Sequence, residues 1–151
     1  MPKVLEQTWE ETLPHGPWLC ALCIGNDYRE NTVGHLPMCA KDARAVRDLV
    51  LDRIPRASAT GHYNLKDKYG MEHALKAFCA QIRKPPRMVI YYFSGHAVQE
   101  GDGIFLLPND ASPRNLEELR QQCLSHDEVF RILKEELADR DVPDQGTSLI
   151  S

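Results

Sequence analysis

The clearest strand signal in this chain is residues 87–93, with the sequence RMVIYYF, followed directly by Ser94-Gly95-His96. β-Branched and aromatic residues dominate the stretch, and these residues are enriched in strands. A second apolar run, residues 18–24 (WLCALCI), is closed by Gly25-Asn26. A short run that is apolar throughout is typical of a central strand in a parallel sheet. Because sites in such sheets lie at the carboxyl ends of the strands, we expect chemistry at Asn26 or His96.

Helical patterns alternate with these strands. Residues 40–54 and 71–82 have the apolar spacing of amphipathic helices, and proline follows both. Residues 57–65 are a weaker strand candidate between them. The order strand, helix, strand, helix, strand predicts an α/β fold with a mostly parallel sheet.

The remainder of the chain continues this pattern. A turn at 99–103 and a short strand at 104–107 predict a hairpin. Ser125 and Glu128 have the spacing of a capping box, which opens another helix, and a last strand is expected to begin at residue 147. We divide the chain into an N-terminal leader, residues 1–16, and a single domain, residues 17–151.

Composition excludes several classes of protein. The chain has 151 residues, the size of one domain, and its 42% hydrophobic and 26% charged residues are typical of a globular protein. A formal net charge of -4 argues against a nucleic-acid-binding surface. No apolar run reaches the length of a membrane helix, and the polar N-terminus does not have the pattern of a secretory signal. The odd number of cysteines, five, favours a reducing compartment, and we expect the cytoplasm.

Four segments of the chain resemble the caspase, metacaspase and paracaspase clan of cysteine peptidases, and they follow one another in the order that the clan has. They are residues 91–96 (YYFSGH), which resemble the strand of the catalytic histidine, 21–28 (ALCIGNDY), 36–43 (LPMCAKDA) and 104–111 (IFLLPNDA). The resemblance extends over roughly residues 18–137 and implies a three-layer caspase-like fold. A lone histidine after a strand also fits a simple strand end, but the four segments together favour a catalytic one.

The resemblance implies cysteine-protease chemistry in which His96 is the general acid and base. The N–H group of Ala97 would stabilise the oxyanion, with Gly95 bordering the same place. The family usually has glycine where Ala97 stands. The expected substrate is a protein or peptide.

The family's nucleophilic cysteine follows the histidine by about 50 residues, which from His96 is near the end of these 151 residues. No Asp-x-Cys motif follows a strand, and Cys123, between a glutamine pair and a helix cap, is not assigned as the nucleophile. We therefore expect a fold truncated before the nucleophile strand and inactive by itself. Downstream sequence or a second chain would supply the cysteine. An open sheet edge would also favour homo-oligomers.

Residues Cys39 and Asp42 match a segment that lines the substrate pocket in metacaspases. Asp42 there implies a basic residue before the cleaved bond, and residues 33–38 contain no arginine for an acidic one. Asp42 also fits an ordinary acid in a first helical turn. Cys39 is open to interpretation as a backup nucleophile or as a small buried side chain.

We expect no metal or other cofactor. The set Cys20, Cys23, His35 and Cys39 has zinc-ligand residue types, but Cys20 and Cys23 should face opposite sides of a strand. Asp102, Asn109 and Asp110 leave calcium as a weaker alternative, with too few oxygens for a full site. Two other functions stay open: a catalytically inactive caspase-like interaction or regulatory module, and an unrelated flavodoxin-like binding domain.

Overall fold

The computed structural model describes residues 16–138 and the backbone of residues 147–150. The predicted leader lies outside the described residues except for Gly16. The elements in chain order are β1 (Leu19–Gly25), α1 (Cys39–Arg53), β2 (Ala57–Tyr63), α2 (Lys68–Gln81), β3 (Met88–Ser94), β4 (Ala97–Glu100), β5 (Gly103–Leu106), α3 (Leu116–Gln122), β6 (Leu124–Ser125), α4 (His126–Leu137) and β7 (Thr147–Ile150).

Four parallel strands form the main sheet in the order β2-β1-β3-β7. Every residue of β1 is buried, which confirms the prediction of a central strand with both faces covered. The predicted last strand is β7, which pairs with the outer edge of β3. A smaller antiparallel sheet, β4-β5-β6, follows β3. The predicted α/β fold is confirmed.

Helices cover both faces of the main sheet, and the alternation along β1 decides which residue meets which helix. Leu19, Ala21 and Cys23 pack in one apolar cluster with residues of α1. Cys20 belongs to the opposite cluster, which includes residues of α2 and α4. The two cysteines therefore lie on opposite faces, as their odd separation predicts.

Three details of the secondary structure differ from the prediction. The short elements α3 and β6 were not predicted, because two turns of helix and two residues of strand are too short to show a period. Gln99 and Glu100 were expected in a turn but belong to β4, since the reversal is completed by Gly101 in the left-handed region. The predicted N-cap is present, since the Ser125 hydroxyl accepts from the Glu128 N–H at 3.1 Å.

Candidate active site

The ends of β1 and β3 lie side by side, with Gly25 opposite Ser94 in the sheet register. We call these strand ends and the loops that follow them, residues 26–38 and 95–96, the carboxyl rim. The first turn of α1 lies directly on the end of β1, because a Cβ at Gly25 would overlap the backbone of Cys39. The fold thus places His96 and the start of α1 at adjacent strand ends.

The half-buried imidazole of His96 is held at two points. Its Nε2 atom lies 2.7 Å from the carbonyl oxygen of Gly34. A carbonyl oxygen only accepts hydrogen bonds, so the neutral ring that makes this bond has its proton on Nε2. The ring of Tyr28 packs against the imidazole with the centroids 4.6 Å apart. This arrangement leaves Nδ1 as the nitrogen that accepts a proton from a reacting group.

The loop after β1 aims the Gly34 carbonyl at the histidine. Gly34 has a φ of +110°, a conformation that favours glycine, and its N–H donates to the carbonyl of Asn31 at 3.3 Å. The Asn31 side-chain amide donates to the carbonyls of Asn109 and Ala111 at 2.9 and 2.6 Å. The loop is therefore fastened to the segment after β5, and the acceptor of His96 is held by a long-range contact.

Two fully buried polar side chains lie at the rim: Asn26, which the sequence placed at a strand end, and Tyr28, which the sequence did not single out. Asn26 donates from Nδ2 to the carbonyl of Leu107 and accepts at Oδ1 from the N–H of Leu65. The Tyr28 hydroxyl donates to the same carbonyl and accepts from the His96 N–H. A polar residue directly after an apolar strand was the only sequence signal for Asn26, and nothing local distinguished Tyr28.

The predicted oxyanion residues lie at the start of the small sheet. The Leu107 N–H donates to the His96 carbonyl at 3.0 Å, so the next pair, Ala97 and Leu106, is of the non-hydrogen-bonded type. The N–H of exposed Ala97 consequently points away from β5. Ala97 is not among the residues of the described chain with positive φ, so its backbone does not need the left-handed conformation that favours glycine.

Gly95 has a close-packing role at the rim. A Cβ on Gly95 would lie 2.5 Å from the Tyr28 hydroxyl and 2.9 Å from the Phe93 ring. The absence of a side chain at this position is what allows the phenol to reach the backbone of His96.

Cys39 and Asp42 both lie in the first turn of α1, at positions i and i+3, and so share one face of the helix. Cys39 is half-buried and Asp42 is exposed. Asp27, from the loop, caps this helix, since its Oδ1 accepts from the Ala40 N–H at 2.8 Å. Because Asp27 supplies this capping acceptor, the Asp42 carboxylate is not needed to cap the helix.

Two other thiols have environments unsuited to a nucleophile. Burial raises the pKa of both Cys23 and Cys123 to about 11. A thiol with a raised pKa stays protonated near neutral pH and is a poor nucleophile. The surroundings of Cys123 therefore do not favour it as the nucleophile.

Three of the residues considered for metal binding, Asn109, Cys20 and Cys23, have positions or contacts that do not suit a shared ion. Asn109 accepts from the Tyr28 N–H and donates to Asp110 at 3.2 Å. We call this contact with Tyr28, together with the side-chain hydrogen bonds of Asn26, Tyr28 and Asn31, the rim network. Cys20 and Cys23 lie on opposite faces of β1 and cannot bind one ion together. Within residues 16–138, no group of three or more His, Cys, Asp or Glu side chains has the arrangement of a metal site.

Comparison with known proteins agrees with the fold. The family model of the caspase domain matches residues 19–142. The chain therefore belongs to the caspase-domain family of peptidases. A search of curated proteins found no match. Among the described residues, no helix is both long and apolar enough to cross a membrane.

Proposed function

We propose that this domain is the histidine-bearing part of a cysteine endopeptidase, with His96 as the general acid and base. The observation that carries the proposal is the bond between His96 Nε2 and the Gly34 carbonyl, 2.7 Å long, at the carboxyl rim. That bond fixes the tautomer, so Nδ1 accepts the thiol proton and later gives it to the leaving amine. A half-buried ring at a strand end is reachable by substrate.

We infer the position of the nucleophile from the register of the sheet. Ile150 of β7 pairs with Tyr92, so continuation of that strand by a few residues reaches the level of Ser94 and His96. A cysteine there would face His96 from the adjacent strand end, and the two residues would form the catalytic dyad. We propose that this thiol is supplied by sequence after residue 151 or by a second chain, and that residues 1–151 alone do not cleave peptides.

The reaction then follows from His96 and from its neighbour Ala97, the first residue of β4. The thiolate adds to the scissile carbonyl carbon, and the oxyanion so formed accepts a hydrogen bond from the Ala97 N–H, which points away from β5 and lies next to His96. Collapse of the intermediate breaks the C–N bond, and the imidazolium of His96 protonates the departing amine. Water then hydrolyses the thioester, with His96 as the base.

A reducing compartment such as the cytosol suits this thiol.

The proposed specificity is for a basic residue before the cleaved bond. The exposed Asp42 carboxylate lies beside Cys39 in the turn of α1 that contacts the end of β1. A hydrogen bond to a charged partner contributes about 1.5–3 kcal/mol. Asp42→Asn should therefore lower kcat/KM for an arginine peptide by about 10- to 100-fold.

The test compares peptide cleavage by residues 1–151 with cleavage by the protein carrying the sequence that its transcript encodes after residue 151. His96→Ala should lower kcat/KM of the active form by about 1000-fold. His73 is an exposed histidine of α2, so the control variant His73→Ala should leave kcat/KM unchanged. Asp48→Asn, an exposed acid of α1, is the control for Asp42→Asn. A His96→Ala variant as active as its parent would reject the catalytic role, and preference for an aspartate peptide would reject the pocket role of Asp42.

The runner-up function, an inactive caspase-like module, predicts a different result. Its transcript would encode no cysteine within a few residues of β7, and no second chain would restore cleavage. Finding that cysteine together with cleavage excludes the module.

A further inference from the structure

Tyr28 has an unusual backbone for its residue type. It is fully buried, and its φ of +55° lies in the left-handed region, which is unfavourable for a bulky side chain. Its N–H donates to Asn109 Oδ1 at 2.9 Å, a contact between residues 81 positions apart. Such a conformation persists only where the surrounding contacts hold it, and these outliers cluster at functional sites.

The Tyr28 hydroxyl replaces a bond of the antiparallel ladder. A hydrogen-bonded pair in such a ladder normally exchanges two bonds. His96 and Leu107 make one of them, from the Leu107 N–H to the His96 carbonyl at 3.0 Å. In place of the second, the His96 N–H donates to the Tyr28 hydroxyl at 2.9 Å, and that hydroxyl donates to the Leu107 carbonyl at 2.6 Å.

The hydrogen bonds around this hydroxyl are mutually dependent. The Leu107 carbonyl has two lone pairs, and they are occupied by the Tyr28 hydroxyl and by Asn26 Nδ2 at 3.2 Å. The His96 N–H is thereby directed to the phenol rather than to the carbonyl. Burial raises the pKa of Tyr28, so the hydroxyl stays neutral and keeps its proton for the carbonyl. Gly95 leaves the space that the hydroxyl occupies.

We propose that Tyr28 is the positioning residue of the proposed dyad histidine, holding the His96 backbone through its hydroxyl and the imidazole through its ring. The inference rests on the proposed function. The backbone contact at 2.9 Å, the ring contact at 4.6 Å and the Nε2 bond to Gly34 at 2.7 Å fix three sides of His96. The side that carries Nδ1 is the one left for the thiol.

The test is proton NMR of the 151-residue chain, which requires no protease activity. An imidazole N–H bonded to a carbonyl exchanges slowly enough to give its own resonance, and His96→Ala identifies it. Tyr28→Phe should abolish this Nε2–H resonance or speed its exchange by about tenfold or more. Tyr91→Phe is the matched control, because its hydroxyl is equally buried but lacks a hydrogen-bond partner; it should keep the resonance.

A Tyr28→Phe chain that retains the resonance, with exchange unchanged from the parent, would overturn the proposal. A second measurement covers the case in which that variant does not fold. In the parent chain, the His96 main-chain N–H should exchange slowly and show a nuclear Overhauser effect to the Tyr28 hydroxyl proton; a rapidly exchanging N–H there also overturns it. If both measurements succeed and the complete protein still does not cleave peptides, the proposed function fails while the placement of His96 by Tyr28 stands.

Discussion

The middle of the main sheet and its carboxyl rim are held together by different interactions. In the middle, β1 presents apolar side chains to α1 on one face and to α2 and α4 on the other. At the rim, Asn26 and Tyr28 are just as deeply buried, yet they are polar and bond to residues 79–81 positions away. Burial of apolar area stabilises the first region, whereas the second depends on every polar group having a partner.

This difference determines how far the effect of a substitution extends. A substitution that removes apolar volume in the middle leaves a cavity and lowers the free energy of unfolding. The surrounding side chains keep their other contacts, so the structural change stays near the cavity. Loss of one polar group at the rim leaves partners unsatisfied in several segments at once. A change at Asn26 should therefore alter the setting of His96, while an equally destabilising change in the middle should not.

The largest effect is expected in the middle. Leu22 is fully buried in β1, so Leu22→Ala should lower the free energy of unfolding by about 2–5 kcal/mol, measured by denaturant titration. Leu49→Ala is the matched control, since this leucine of α1 is 56% exposed, and its effect should stay within about 0.5 kcal/mol. Equal losses for the two variants would contradict the packing described for β1.

A somewhat smaller effect is expected for Asn26→Ala at the rim. The change removes the acceptor of the Leu65 N–H and one donor to the Leu107 carbonyl, so we expect a loss of about 2–3 kcal/mol. Unlike Leu22→Ala, it should also lower the intensity of the His96 Nε2–H resonance or speed the exchange of that proton. Gln121→Ala, an exposed amide in α3, serves as the control. A resonance that survives Asn26→Ala unchanged would show that the rim is not coupled in this way.

The same contrast explains what could be predicted from the sequence. The strands and the longer helices follow from local apolar spacing, which is why β1, β3, α1 and α2 were predicted within a few residues. The position of His96 at a strand end also follows from local order. The Gly34 carbonyl as its partner does not, because that contact depends on Asn31 reaching the backbone of Asn109 and Ala111. Periodicity carries no information on such distant pairs.

Two buried tyrosines give the next prediction, in which the sign of the effect differs. The Tyr91 hydroxyl lies in the core without a hydrogen-bond partner, so Tyr91→Phe should raise the free energy of unfolding by about 1 kcal/mol. Tyr28→Phe should lower it by about 1–3 kcal/mol, because it leaves the His96 N–H and the Leu107 carbonyl each short of a bond. Destabilisation by both variants would mean that Tyr91 is bonded to an internal water.

The smallest expected effect is a pH dependence from outside both regions. Burial lowers the pKa of His126 and of His62, and the His62 value is lowered further by the charge of His73. The unfolded chain, with histidine pKa values near 6.5, then binds more protons than the folded chain, so stability rises with pH. We expect full stability above about pH 6.5 and a gradual loss as the pH falls below it, towards the lowered pKa values of the folded state.

Denaturant titrations between pH 7.5 and 5.5 should show this slope. The slope should become flatter in the double variant His62→Gln/His126→Gln and be retained in Leu49→Ala. Both histidines are only partly buried, which keeps the effect below those of the substitutions above. A slope that survives in the double variant would assign it to other groups, and a stability that rises on acidification would reverse the sign derived from burial. Because neither residue belongs to the rim network, the His96 Nε2–H resonance should be the same in the double variant as in the parent.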